Sequence, residues 1–92
     1  MTNVGNTSLN EKYAVKTIIY LHKKGERPKS TLRPDITGSY NTIKKLVDSL
    51  EKDGLVKTEV KYGPQKTITV GLTGKGEKVA EKLLEIEEIL EE

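Results

Sequence analysis

The 92-residue chain has no cysteine, which rules out a disulfide framework and a thiolate metal site and suits a reducing cytoplasm. It has one histidine, His22. With no second histidine and no carboxylate beside it in the pattern, His22 reads as a structural residue rather than a ligand or catalyst. Paired carboxylates, a Ser/His/Asp set and a metal-ligand cluster are all missing, so the expectation is a protein that is not an enzyme and needs no cofactor or metal. Gly71-x-x-Gly74-x-Gly76 has only a superficial look of a phosphate loop, because no Lys-Ser/Thr follows it; these glycines more simply ease the turn into the last helix. No apolar run approaches the roughly 18 residues of a membrane span, and the polar N-terminus lacks a secretion signal's basic and apolar regions. A soluble cytoplasmic chain is expected.

Charge is plentiful and unevenly spread. Residues 77–92 hold seven glutamates against Lys78 and Lys82, a net of −5, which leaves +7 on residues 1–76. A basic body with an acidic end suits a polyanion-binding domain joined to a part that avoids the polyanion, and also suits a Lys/Glu-rich soluble surface. The length makes one domain, at a size where a second copy often adds stability.

The stretch Gly38–Val56, GSYNTIKKLVDSLEKDGLV, organises the rest. Ser39 can accept hydrogen bonds from the free N–H groups of a first helical turn. Ile43, Leu46, Val47 and Leu50 recur at helical spacing, giving one buried stripe. Gly54 can take the left-handed conformation that ends a helix. The other side shows Tyr40, Asn41, Lys44, Lys45 and Asp48, a face that fits a DNA groove and equally an ordinary solvated helix. Residues 55–62 and 66–72 then alternate, with Val56, Thr58, Val60 and Tyr62 sharing one face and Ile68, Val70 and Leu72 another. Gly63-Pro64-Gln65 supplies the turn, so the pair reads as a β-hairpin. A capped helix running into a hairpin with a basic tip is the architecture of a winged helix.

The run S-x-x-T-I-x-x-L-V-x-x-L-E-x-x-G-L-V at Ser39–Val56, the hairpin, and L-T-x-x-G at Leu72–Gly76 resemble the winged helix-turn-helix regulators of the MarR type and their small archaeal relatives, over roughly residues 9–85. The resemblance implies an α+β fold: a three-helix core, a β-hairpin wing and a C-terminal dimerisation helix. It implies sequence-specific double-stranded DNA binding by a homodimeric transcription regulator, with the third helix (39–53) in the major groove and the wing (61–67) on the backbone or minor groove. Ser39, Tyr40, Asn41 and Thr42 then occupy the base-reading half, where Asn can pair with adenine and a Thr methyl can touch thymine, although Thr42 also neighbours the inward Ile43. Lys44 and Lys45 suit guanine or phosphate. Lys61, Tyr62, Gln65 and Lys66 suit the wing's contacts. Two other readings fit the same architecture: a winged-helix protein–protein module, and a weakly specific chromatin-type DNA-binding protein.

The remaining segments are read in turn. Residues 1–8 form a flexible N-terminus, residues 9–74 the winged-helix domain, and residues 75–92 an acidic helix. Ser8 and Glu11 form a capping box that starts the first helix at Leu9. Ala14, Ile18 and Leu21, with Val15 and Ile19, make its stripe, and Lys23-Lys24-Gly25 its end. Glu26–Lys29 is an extended connector. Ser30 or Thr31 caps a short second helix through Ile36. This segment departs from the family pattern: Arg33 stands where a small alanine commonly packs, Pro34 follows, and Gly38 replaces an apolar residue. Arg33 then points outward, to a phosphate or simply to water. Thr73 caps the last helix, whose Val79, Leu83, Ile86 and Leu90 form a heptad seam for pairing with a second copy. The alternative is that this seam packs back on the chain's own first helix.

Overall fold

Four side chains on one side of a central helix hold the domain together. The computed structural model describes residues 3–92, and its helices α1 (Ala14–Lys24), α2 (Lys29–Ile36) and α3 (Tyr40–Lys52) meet around Ile43, Leu46, Val47 and Leu50 of α3. All four are buried, and each such aliphatic side chain contributes about 1.5–3 kcal/mol. Against them pack Ala14, Ile18 and Leu21 from α1 and Leu32 and Ile36 from α2. Strands β2 (Val56–Lys61) and β3 (Thr67–Leu72) add Val56 and Val70, and α4 (Gly74–Leu90) adds Ala80. This is a winged helix-turn-helix, and no described helix is long and apolar enough to cross a membrane.

The end of α3 is closed as its glycine predicts. Gly54 has φ +76°, the Leu55 N–H donates to the Leu50 carbonyl at 3.0 Å, and the Gly54 N–H donates to that of Glu51 at 3.0 Å. This is a Schellman motif with Leu50 and Leu55 as its apolar pair. The chain leaves it directly into β2, so the end of α3 fixes where the hairpin starts.

Three expectations need correction. Residues 26–29 are more than a connector: Arg27–Pro28 form a third strand, β1, paired antiparallel to β3 with Arg27 opposite Val70, giving the order β1-β3-β2. Neither Ser30 nor Thr31 caps α2, which begins at Lys29; the Thr31 hydroxyl instead donates to the Pro28 carbonyl at 2.7 Å. Pro34 lies within this helix, its missing N–H depriving the Ser30 carbonyl of the usual helical donor, and α2 stops after Ile36.

The third correction concerns the first helix, which begins at Ala14 rather than Leu9. Tyr13 has φ +68°, a left-handed conformation that interrupts a helix. The segment before it forms two 3₁₀ turns, Val4–Asn6 and Ser8–Asn10. A long-range bond overrides the capping box there: the Ser8 N–H donates to Asp53 Oδ2 at 2.7 Å. The expected flexible N-terminus, 1–8, thus includes a fastened part, and its first two residues lie outside those described.

Where α4 starts, three elements converge. The Thr73 hydroxyl caps α4 by accepting from the Gly76 N–H at 3.0 Å and donates to the Gly54 carbonyl at 2.6 Å. The Thr73 N–H donates to the Leu55 carbonyl at 3.1 Å. Gly76 is required at this crossing, because a Cβ there would stand 2.0 Å from the Leu55 oxygen. His22 does have a carboxylate partner after all: Glu77, far away in sequence, meets its Nδ1 and ties the end of α1 to the start of α4.

Candidate nucleic-acid interface

The surface of interest is the face of α3 turned away from the core, together with the hairpin beside it. Ser39 caps α3 as expected, its hydroxyl accepting from the Thr42 N–H at 3.3 Å. Tyr40, Asn41, Lys44 and Lys45 are exposed while Ile43, Leu46 and Val47 are buried, so the helical period sorts chemistry onto opposite sides. Thr42 is half-buried at the border between the two.

The hairpin tapers from core to solvent. Val56 pairs with Leu72 and Thr58 with Val70 near the core, while Val60 pairs with Ile68 towards the tip. Val56 and Val70 are buried, Val60 is exposed, and Tyr62 at the turn is 83 % exposed. The Thr58 hydroxyl donates to Glu51 Oε2 at 2.7 Å, fastening β2 to the last turn of α3.

Between α3 and the wing lies an open cleft of about 310 Å³ lined by Lys29, Ser30, Tyr40, Gln65, Lys66 and Ile68. It brings together three of the residues singled out from the sequence, namely Tyr40 from α3 and Gln65 and Lys66 from the wing. It also adds Lys29 and Ser30, which sequence reasoning missed. Lys29 was readable as a basic residue beside a helix start, but its proximity to the wing follows from β1 pairing with β3, a non-local event.

Two of the basic residues singled out are engaged within the chain. Lys61 Nζ lies 3.2 Å from Glu26 Oε1, so this side chain already has an anionic partner within the chain. Arg33 is exposed, and its Nε donates to the Gly38 carbonyl at 3.2 Å; this spans the turn between α2 and α3 and leaves the rest of the guanidinium outward. Neither lines the cleft, nor does Tyr62.

The residues expected to pair copies divide along α4. Val79 and Leu83 are half-buried against the domain's own core, as is Ala80 completely, and α4 packs on α1. The proximal half of the seam is therefore covered by its own chain. Ile86 and Leu90 stay exposed, with Ile89 between them. Among the described residues no group of three or more His, Cys, Asp or Glu side chains could hold a metal ion.

No family model matches the chain, and no curated protein matches it. Solved structures do resemble it. A transcriptional regulator homologue protein from Pyrococcus horikoshii OT3 is similar with a TM-score of 0.76 and 22 % identity, over 91 % of this chain and 85 % of that one. A chain from Porphyromonas gingivalis W83, described as a transcriptional regulator of the MarR family, is similar with a TM-score of 0.76 and 23 % identity, over 92 % and 83 % of the two chains. Identities this low speak for the fold, and they agree that it is a winged helix-turn-helix.

Proposed function

We propose that this winged-helix chain is a sequence-specific double-stranded DNA-binding protein that regulates transcription as a homodimer. The observation that carries the reading is the cleft of Tyr40, Gln65, Lys66 and Lys29, because it joins the exposed face of α3 to the wing in one basic, concave surface. In use, α3 enters the major groove with Tyr40, Asn41 and Thr42 at the base edges and Lys44 and Lys45 on base or phosphate. Gln65 and Lys66 follow the backbone beside it, with Lys61 and Tyr62 further out and Arg33 on a flanking phosphate. Ser39 holds the first turn of α3 in shape. Copies associate through the exposed end of α4 and address half-sites about 34 Å apart. The likeness to proteins described as transcriptional regulators is consistent with this reading.

The test is a salt titration of binding to mixed-sequence duplex DNA, with wild type beside Lys44→Ala/Lys45→Ala. Removing one phosphate-binding cation lowers the slope of log K against log salt by about 0.9. A steep wild-type slope that flattens in the double variant is expected; absence of binding to any duplex at low salt would sink the reading.

A further inference from the structure

The last turns of α4 leave three apolar side chains uncovered: Ile86 is 49 %, Ile89 63 % and Leu90 78 % exposed. Their i, i+3, i+4 spacing makes them one patch. Around it stand Glu85, Glu87, Glu88, Glu91 and Glu92, with no lysine or arginine from residue 83 onward.

At the root of the same helix is the complementary surface. A cleft of about 430 Å³ is lined by Val4, Leu9, Leu55 and Val79, together with Lys52 and Lys75. Lys75 is held there by donating to the Asp53 backbone carbonyl at 3.0 Å. The carboxylate of Asp53 also lines the cleft, but it is taken up by Ser8. The cleft is thus apolar with two ammonium groups against one carboxylate, where the helix end is apolar with five glutamates, of which Glu85 meets Lys82 at 3.5 Å.

We propose that these are the two halves of one interface between copies of this chain. The distal end of α4 from one copy seats Ile86 and Leu90 in the Val4–Leu9–Leu55–Val79 cleft of a second copy, with its glutamates facing Lys52 and Lys75, and the second copy returns the same contact. Self-docking is impossible, since Val79 and Leu90 lie about 16 Å apart on one straight helix. Reciprocal exchange closes the pair about a two-fold axis and leaves neither half over. Pairing two α4 seams side by side fits less well, because Val79 and Leu83 are already half covered by their own domain. This proposal rests on the homodimer part of the function above and is independent of DNA.

The chain has no cysteine, so a single introduced thiol reports unambiguously. Val4 and Leu90 are both well exposed in the monomer, and replacing either leaves the core untouched. Chains carrying Val4→Cys and Leu90→Cys are mixed and oxidised at a concentration where wild type sediments as a dimer. The expected main product is the mixed Val4–Leu90 disulfide, since bridging needs Cα atoms within about 7 Å. A Leu90–Leu90 disulfide as the main product, or no disulfide, would overturn the docking while leaving the homodimer intact. A wild type that sediments only as a monomer would overturn both. Lys52→Glu is expected to weaken association about tenfold at low salt, two symmetry-related contacts changing sign; an unchanged dissociation constant would count against the charge match.

Discussion

A side chain on Gly76 would place its first carbon 2.0 Å from the backbone oxygen of Leu55. That carbonyl already accepts from the Thr73 N–H, so it cannot swing aside without breaking the cap region of α4. Gly76→Ala is therefore expected to lower stability by at least about 2 kcal/mol, as overpacking against backbone does. Gly74→Ala is the control, since a Cβ there meets nothing within 4 Å. Thermal melting of the two variants decides the matter: a domain this small loses about 4–8 °C per kcal/mol, and equal melting points would refute the close approach.

Gly54 is constrained by its dihedral angle rather than by space. Its φ of +76° lies in the left-handed region, where a Cβ costs about 1–2 kcal/mol. Gly54→Ala should lower the unfolding free energy by that amount, seen as a lower urea midpoint with an unchanged slope, and Gly54→Asn by less.

Asp53 links acidity to the fastening of the N-terminal segment. Its carboxyl is held below the usual value of 3.8, first by the Ser8 hydroxyl facing it and then by the Ser8 backbone N–H; burial opposes this, and Lys75 and Lys52 add to it. A depressed carboxylate contributes stability above its unfolded pKa and loses it as pH falls through the folded value. Stability should accordingly fall below about pH 4 in wild type. In Asp53→Asn the difference in stability between pH 7 and pH 3 should shrink, which denaturant unfolding at both pH values measures.

Base reading and backbone contact should separate by residue. Asn41→Ala is expected to relax sequence preference by about 1–3 kcal/mol at one position while leaving the salt slope unchanged. Lys66→Ala and Lys29→Ala, both lining the cleft, should each reduce the slope by about 0.9 with no change in preference. Competition assays across operator variants at several salt concentrations distinguish the two behaviours.

What was legible in the sequence is what depends on near neighbours. The stripe of α3, its Ser39 cap, its Gly54 ending and the hairpin itself all arise within a few residues, and all stand in the fold, although Thr69, Val70 and Gly71 of β3 are buried in succession rather than in alternation. The failures involve partners far apart in the chain. Asp53 takes the Ser8 N–H from 45 positions away, so a sound local capping signal at Ser8–Glu11 lost to a tertiary bond. Arg27–Pro28 forms a strand only because β3 is there to receive it. Glu77 reaches His22 only because α4 packs on α1. In the site, outward positions on α3 followed from periodicity, whereas Lys29 joined them through sheet pairing. The heptad spacing of α4 marked its apolar residues but carried no information on whether the chain itself or another body covers each one.

The crossing of Gly76 and Leu55 also has a mechanical side. With no side chain between them, the first turn of α4 bears directly on the backbone that leaves α3, so the joint works as a fulcrum with little slack. From Gly76 to Leu90 the helix runs about 21 Å. Since Ala80 is buried in the core and Val79 and Leu83 rest against it, the turns beyond Leu83 form a stiff arm whose root cannot shift without disturbing the way the chain leaves α3.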